Sequence, residues 1–160
     1  MAKRVVVALI MCVTLAGGAW AQQAAGNSID RDIQLLRKDL QSGRKQVVAA
    51  NMLLTDTEAQ NFWPIYEKYM AEMLTINDTK VAVVKSYAAN FNTLTNEQAQ
   101  QLVKQWGDAD LATVQLREKY FPIFQKAVSG KKAARFFQID RRVSLLIDLQ
   151  AASQIPLVEP

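Results

Sequence analysis

The chain carries the same helix-forming pattern twice, and this repeat constrains the fold more than any other feature. Residues 54–69 (LTDTEAQNFWPIYEKY) begin with a Thr55 cap and an acidic turn, followed by an aromatic cluster that Pro64 interrupts. Residues 94–99 (LTNEQA) repeat the start, and residues 120–126 (YFPIFQK) repeat the aromatic cluster. A threonine followed three residues later by Glu or Gln is typical of a capping box. The sequence therefore predicts two similar long helices, each kinked at an internal proline.

A basic, then apolar, then small-residue pattern predicts a cleaved secretory signal peptide over residues 1–21. Lys3 and Arg4 precede an apolar run at residues 5–16. Residues 19–21 (AWA) have the small side chains of a cleavage site. The run is shorter than the roughly 20 residues that span a bilayer, although an uncleaved anchor is the alternative. Cleavage implies export to the periplasm without a transmembrane anchor.

Cut after Ala21, the mature chain would begin at Gln22 with a flexible lead-in over residues 22–28. It would contain neither cysteine nor histidine, because the one cysteine, Cys12, lies in the leader. The leader also removes two of the 19 cations, so the net charge falls from +4 to +2. The composition excludes a disulfide scaffold and gives no support for nucleic-acid binding.

Apolar residues recur at helical spacing through the rest of the chain, and no segment alternates for long with the period of a strand. We predict an all-α, elongated antiparallel bundle of about four helices, because short connections favour antiparallel neighbours. Residues 29–154 are expected to form one helical domain, and residues 155–160 an extended tail. The predicted helices cover residues 29–51, 56–90, 95–128 and 131–153.

Three glycines and one polar segment are expected to affect the course of these helices. Gly43 is expected to bend the first helix, and Gly130 to end the third with a glycine C-cap. Gly107 is expected to allow another helix to approach closely. The second helix is predicted either to continue through Asn77 or to break there.

Most aromatic residues are expected in the core, because each buries roughly 150–250 Å². The candidates from the repeated clusters are Phe62, Tyr66, Tyr120 and Phe124. On the fourth helix, the residues expected to face inward are Phe136, Ile139, Val143, Leu146 and Ile147. A thin, curved bundle would leave apolar surface uncovered, which is typical of an interface with a second copy or a client.

The two helix starts also resemble a family motif. Residues 94–98 (LTNEQ) fit the Leu-Thr-x-x-Gln motif of the Spy/CpxP family of bacterial periplasmic helical proteins, and residues 54–58 (LTDTE) fit it except at Glu58. The family-motif residues are Leu54, Thr55, Leu94, Thr95 and Gln98. Residues 62–66 (FWPIY) look more like an uncharacterised proteobacterial subgroup, as do residues 133–139 and 154–158. Local capping of a helix after an apolar residue is the alternative explanation of the motif.

Resemblance to this family implies a hook-shaped antiparallel homodimer whose concave face binds unfolded clients or a sensor kinase. The implied function is a non-enzymatic envelope-stress chaperone or adaptor. The alternative is a regulatory module for one specific envelope sensor protein. Some relatives bind metals through His, Met or Cys, but the mature chain has no His or Cys, so no metal or cofactor is expected.

No catalytic constellation is visible in the sequence, so we predict no catalytic, cofactor or metal residue. A nucleophile needs a base near neutrality, usually histidine, and the chain has none. Asp108 and Asp110 are two residues apart and do not share a helix face, which favours surface acids. Met70 and Met73 could line a soft metal site, but core packing is the favoured interpretation.

Charge is segregated along the chain. Residues 119–142 carry seven cations against the single acid Asp140, whereas residues 51–80 carry five acids against two cations. The candidate partner-binding basic patch is Lys126, Lys131, Lys132, Arg135, Arg141 and Arg142. Such a patch would bind acidic or unfolded partners, or anionic lipid headgroups. The alternatives are a solvated helix face, or neutralisation by the acidic segment of this chain or of a dimer mate.

Overall fold

The computed structural model describes residue 35 and residues 38–158. The predicted signal peptide, its cleavage after Ala21, the lead-in and the start of the first helix lie outside these residues. Residues 159–160 of the predicted tail lie outside them as well. The contacts described below belong to one compact unit, Arg44–Pro160.

The described residues form four α-helices and no strand, which confirms the predicted all-α fold. We label them α1 (residues 38–52), α2 (Asp56–Asn90), α3 (Asn96–Ala127) and α4 (Gly130–Ala152). A short 3-10 helix, Phe91–Thr93, follows α2 directly. The helix α2 runs without interruption through Asn77. Within the described part of the chain, no helix is long and apolar enough to cross a membrane.

Both long helices begin with a capping box, as predicted. Thr55 Oγ1 accepts a hydrogen bond from the Glu58 backbone N–H at 3.3 Å, and the Glu58 carboxylate accepts one from the Thr55 N–H at 2.9 Å. Thr95 and Gln98 form the same reciprocal pair at 3.2 and 2.9 Å. Each box satisfies backbone N–H groups that have no partner within the helix.

The prolines inside α2 and α3 both lie on solvent-exposed positions. Pro64 and Pro122 have no N–H to donate, so the carbonyl four residues earlier loses its intrahelical partner. Those carbonyls belong to Gln60 and Glu118, which are also exposed, so water can satisfy them. This placement explains why both helices continue through their prolines.

The core is a cluster of aromatic rings. Phe62, Tyr66, Tyr120 and Phe124 are all buried, as the repeated pattern predicts. Phe136 of α4 completes the cluster, with its ring centroid 4.4 Å from that of Phe124 and 5.4 Å from that of Phe62. Such ring pairs stabilise a core by about 0.5–1.5 kcal/mol beyond the area that they bury. Other buried members of the cluster are Val48, Met52, Tyr69, Met73, Leu116, Val128, Ala133 and Ile139.

Side-chain contacts show that neighbouring helices are antiparallel. Between α2 and α3, Phe62 lies beside Phe124 while Lys80 lies beside Asp110, so residue numbers rise on one helix as they fall on the other. By the same criterion α4 is antiparallel to both α1 and α3. The aromatic core lies where all four helices meet.

The prediction that Gly130 ends α3 as a glycine C-cap is wrong. Val128 is the C-cap of α3, and Ser129 is the N-cap of α4, with its Oγ accepting from the Lys132 N–H at 3.3 Å. Gly130 is therefore the first residue of α4, and no described glycine has a positive φ. A Cβ on Gly107 would meet no atom within 4 Å, so no other described segment approaches it closely.

Candidate functional site

A buried ionic centre joins all four helices at Asp140. The residue is only 1% exposed. Its carboxylate accepts hydrogen bonds from Arg44 Nη1 of α1 at 2.5 Å, from Tyr69 Oη of α2 at 2.9 Å and from Arg117 Nε of α3 at 3.1 Å. Ser144 Oγ, one turn further along α4, accepts from both guanidinium groups at 3.2 to 3.4 Å. The centre therefore fixes α4 against the other three helices.

The contacts of this centre hold the four helices together. Two guanidinium groups face one carboxylate, and arginine does not lose its proton in proteins, so neither can serve as a general base. Burial and the neighbouring Asp140 carboxylate raise the pKa of the Tyr69 hydroxyl, which stays protonated. Among the described residues, every buried side-chain nitrogen and oxygen has a hydrogen-bond partner. The buried polar atoms of the centre are therefore satisfied within the fold.

The six cations of the predicted basic patch divide into two groups. The first group consists of Lys126, Lys131, Arg141 and Arg142. These four are exposed, and none of them makes a hydrogen bond or ion pair with another described residue. Lys132 and Arg135 form the second group, because Arg135 contacts the last turn of α1 and Lys132 contacts the connection that follows it.

Lys132 and Arg135 hold the end of α1. Lys132 Nζ donates to the Leu53 carbonyl at 3.0 Å and forms an ion pair with Glu58, which lowers the pKa of that carboxyl. Arg135 Nε donates to the Asn51 carbonyl at 2.6 Å. The last carbonyls of a helix lack intrahelical partners and carry the negative end of the helix dipole, so cations stabilise them. Both residues therefore have a role within the fold.

The acidic segment neutralises part of the basic segment, which is one of the alternatives that the sequence left open. In addition to the ion pair at the end of α1, Glu72 of α2 pairs with Lys119 of α3 at 2.7 Å. The hydrogen bond from Lys119 lowers the pKa of the Glu72 carboxyl. Glu67 of α2 pairs with Lys45 of α1 instead. The cations of the basic segment that form neither an ion pair nor a side-chain hydrogen bond with another described residue lie at the α3–α4 turn and on α4.

The exposed side of α4 carries cations and leucines in one continuous stripe. We call this stripe the outer face of α4, and its members are Lys131, Arg135, Gln138, Arg142, Leu145, Leu146 and Leu149. Leu145, Leu146 and Leu149 are 52%, 68% and 69% exposed. No residue of the stripe is acidic. The outer face is therefore basic over its first turns and apolar over its last ones.

The prediction that Leu146 faces inward is wrong. The inward face of α4 is centred on Phe136 and Asp140, which are buried. Leu146 lies about 80° around the helix from Phe136 and about 120° from Asp140, so its side chain points past the core. Apolar periodicity alone misplaces Leu146, because it does not count a charged residue such as Asp140 as inward-facing.

The family-motif residues contribute to helix starts. Thr55 is the N-cap of α2, and Thr95 and Gln98 form the capping box of α3. Leu54 packs against the core cluster and Leu94 is half-buried. Local capping, the alternative explanation of the motif, accounts for the threonine and glutamine contacts.

A cleft of about 190 Å³ lies where α2 and α3 approach their connection. Its lining residues are Ser86, Asn90, Leu94, Gln98, Gln101, Leu102 and Gln105. None of them is charged, so the cleft offers neither a general acid nor a general base. In the described part of the chain, no group of three or more His, Cys, Asp or Glu side chains could hold a metal ion.

The two aspartates considered as an acid pair face different cations. Asp108 pairs with Lys104 on the same helix, and Asp110 pairs with Lys80 of α2, both at 2.6 Å. Both aspartates are exposed, in agreement with their interpretation as surface acids. Met73, considered as a soft metal ligand, is buried in the aromatic core.

A second exposed apolar stripe runs along α3. Val103, Leu111, Val114 and Phe121 are all exposed and lie on one side of the helix at spacings of eight, three and seven residues. Gly107 lies between the first two, with open space in front of it. Other described segments leave most of this stripe uncovered, although the Phe121 ring contacts Phe137 of α4 at its last position.

Sequence reasoning missed the ionic centre, although a signal for it was present. Arg44 precedes Val48 by one helical turn, and Asp140 follows Phe136 by one turn, so both charged residues fall on inward faces. Opposite charges on the inward faces of two helices indicate a buried ion pair, because single buried charges are costly.

Comparison of the chain with family models, with curated proteins and with solved structures finds no match. The assignment of a function therefore rests on the surfaces described above and on the resemblance of a short motif.

Proposed function

We propose that this chain is a non-enzymatic binding protein of the bacterial periplasm that acts as an envelope chaperone or adaptor. One observation carries the proposal: on the outer face of α4, the unpaired Arg142 is followed by three exposed leucines. Single exposed apolar residues are ordinary, but contiguous apolar surface bordered by charge is typical of protein interaction sites.

The two halves of the outer face would contribute different forces. Leu145, Leu146 and Leu149 would remove apolar surface of a client from water, at roughly 25 cal/mol per Å². The cations would attract acidic segments over a range of about 8–10 Å, which is the screening length near physiological salt. Neither force demands one fixed sequence, so the surface suits unfolded clients. The electrostatic part of the binding should weaken as salt is added.

The periplasmic location rests on the predicted signal peptide. N-terminal sequencing of protein from the periplasmic fraction should return Gln22 as the first residue. Retention of Met1 in a membrane fraction would favour the uncleaved anchor.

A homodimer would form through the exposed stripe on α3. If two copies of α3 pair antiparallel about a two-fold axis, Leu111 of each copy faces Val114 of the other. Lys104 and Glu118 lie on opposite sides of this centre, so each approaches the opposite charge of the second copy. Gly107 leaves room for the second helix. The mass in solution should be that of a dimer for the wild type and of a monomer for Leu111→Lys, and a monomeric wild type would contradict the homodimer.

A regulatory module for one envelope sensor protein is the second candidate function. The fixed spacing of cations and leucines on the outer face favours it, because a defined pattern suits a defined partner better than a mixture of clients. Crosslinking followed by pull-down separates the candidates: one partner favours the module, and many partners favour the chaperone.

The chaperone is tested by following light scattering of an unfolding model client with the mature protein present. Scattering should be suppressed near one dimer per client, and suppression should be weaker in high salt. The combined variant Arg142→Gln with Leu149→Gln should lose most of the effect, whereas Lys68→Gln on the exposed side of α2 should keep it. Absence of suppression by several-fold excess of the wild type would exclude general chaperoning.

A further inference from the structure

We infer that the outer face of α4 docks a single partner helix that is acidic along one half of its contact stripe and rich in leucine-like residues along the other. The inference rests on the proposed function, because it names the form of partner that the binding surface fits. It is carried by the spacing, exposure and charge of the residues on this face.

The spacing of the outer face is that of a helix-pairing seam. Six of its positions, 131, 135, 138, 142, 145 and 149, follow one another at steps of four, three, four, three and four residues. An average step of 3.5 residues keeps side chains in line along a helix and is the pattern through which helices pair. The seam spans residues 131–149, so its ends are about 27 Å apart at 1.5 Å per residue. A bound helix of similar length would cover it.

The charge of the seam sets the chemistry of the partner. Lys131, Arg135 and Arg142 occupy three of its first four positions with no acidic neighbour on the same stripe, so facing carboxylates would complement them. Arg135 is already held by its Nε hydrogen bond to the Asn51 carbonyl, so less side-chain entropy is lost on binding. Leu145 and Leu149 occupy the last half, and they are the apolar knobs that facing leucines would bury.

A lipid surface fits this pattern less well than a helix does. A helix that lies in a membrane interface buries its leucines and keeps its cations on the opposite or flanking side. On α4 the cations and leucines follow one another along the same seam. Arg141, which is exposed but lies off the seam, would contribute to lipid binding as much as Arg142 but little to a paired helix.

None of the described helices supplies the required partner helix from a second copy of the chain. On α2, Glu58, Glu67 and Glu72 are paired with cations of the same chain. Among the described residues, the acids without such a pair are Asp39 of α1, Asp56 of α2, Glu97 and Glu118 of α3, and Asp148 of α4. Glu97 and Glu118 are 21 residues apart, too far for both to face cations that span the 11 residues from Lys131 to Arg142, and each of the other helices has only one such acid. The described helices of a second copy therefore do not offer the acidic half of the partner, and we infer a different chain.

The test uses two fluorescent peptides of about 21 residues, or three heptads, and the full mature protein. The first peptide places Glu opposite the cations and Leu opposite the leucines, and the second has the same composition with the heptad order scrambled. Fluorescence anisotropy should show binding of the first peptide at least tenfold tighter than of the second. Arg142→Glu should weaken binding by about tenfold, whereas Arg141→Glu, the matched control beside the seam, should change it less than twofold.

Three results would overturn the inference. Equal affinity for the ordered and scrambled peptides would show that helix pairing is not used. Equal weakening by Arg141→Glu and Arg142→Glu, together with binding to vesicles of anionic lipid, would assign the face to a membrane surface. Suppression of client aggregation without binding of either peptide would overturn the helix partner alone and leave the chaperone proposal standing. Circular dichroism of each variant shows that the comparison is made on folded protein.

Discussion

The Asp140 carboxylate lies 2.5 Å from the Arg44 guanidinium, although 96 residues separate the two in the sequence. The same carboxylate also binds Tyr69 and Arg117, so a single side chain sets the register of α4 against three helices. Buried ion pairs contribute little net stability compared with apolar packing, because both charges lose their hydration. Their main effect is specificity, since any shifted packing of the helices would leave a charge buried and unpaired.

Removal of the central charge should be strongly destabilising. Asp140→Asn keeps the size of the side chain but leaves two guanidinium groups without a carboxylate. We expect the free energy of unfolding to fall by about 3–5 kcal/mol. Urea unfolding followed by circular dichroism measures the change. Asp148→Asn, on an exposed position of α4, is the matched control and should change stability by less than about 0.5 kcal/mol. Equal stability of the two variants would contradict a structural role for Asp140.

Two adjacent lysines should respond differently to the same substitution. Lys132→Gln removes an ion pair and a bond to the end of α1, so the free energy of unfolding should fall by about 1 kcal/mol. Lys131→Gln removes a cation that contacts no described residue, so stability should not change measurably. The reverse order of effects in urea unfolding would show that the division of the basic patch into two groups is wrong.

Leu53 is a position where the fold accepts backbone strain. It is the only described residue other than glycine with a positive φ, at 49°, and it lies in the connection between α1 and α2. A left-handed conformation costs a residue with a Cβ about 1 kcal/mol, whereas glycine adopts it freely. The side chain is largely exposed, so little burial would be lost. Leu53→Gly should therefore raise the midpoint of thermal unfolding, and Leu53→Ala should not. A lower midpoint for the glycine variant than for the alanine variant would contradict the strain.

Acid should destabilise the protein through Glu58 and Glu72. Their cationic partners hold the pKa of both carboxyls below the ordinary value of 4.5. A lowered folded-state pKa stabilises the fold at pH values above 4.5, and this contribution is lost as the pH falls through the folded-state pKa. The double variant Glu58→Gln, Glu72→Gln should show a shallower fall of the thermal midpoint below pH 4.5 than the wild type. Glutamine keeps the capping contact, as Gln98 does in α3.

A matched control separates these carboxyls from general acid effects. Asp148→Asn removes an exposed carboxyl for which no described partner is present, so its thermal midpoint should fall below pH 4.5 as steeply as that of the wild type. If the thermal midpoint of the double variant fell below pH 4.5 as steeply as that of the wild type, neither ion pair would stabilise the fold.

The helices could be predicted from local sequence because local interactions determine where they begin. Thr55 and Thr95 cap α2 and α3 through residues only three positions away, and such signals are visible in a short window. The buried aromatic residues were predictable for a related reason, since their spacing follows the helical period. Gly130 shows the limit of this approach, because its neighbour Ser129 caps α4 and leaves glycine no role in ending α3.

The candidate site was less predictable because long-range contacts decide which charges are available. The sequence shows that Lys131 and Lys132 are adjacent cations, but not that α1 ends beside only one of them. It also does not show that Asp140 is buried, and this burial shifts the inward face of α4 away from Leu146. That the last turns of the outer face are apolar could be recognised only once the structure showed which side of α4 faces away from the other helices.

Site-specific photo-crosslinking tests the central proposal most directly. A photoreactive residue at position 149, on the outer face of α4, should form adducts with an unfolding client, and the yield should fall in high salt. The same residue at position 89, on an exposed position of α2, is the control and should form few adducts. Equal yields at both positions, or none at 149 while aggregation is still suppressed, would contradict the assignment of client binding to the outer face of α4.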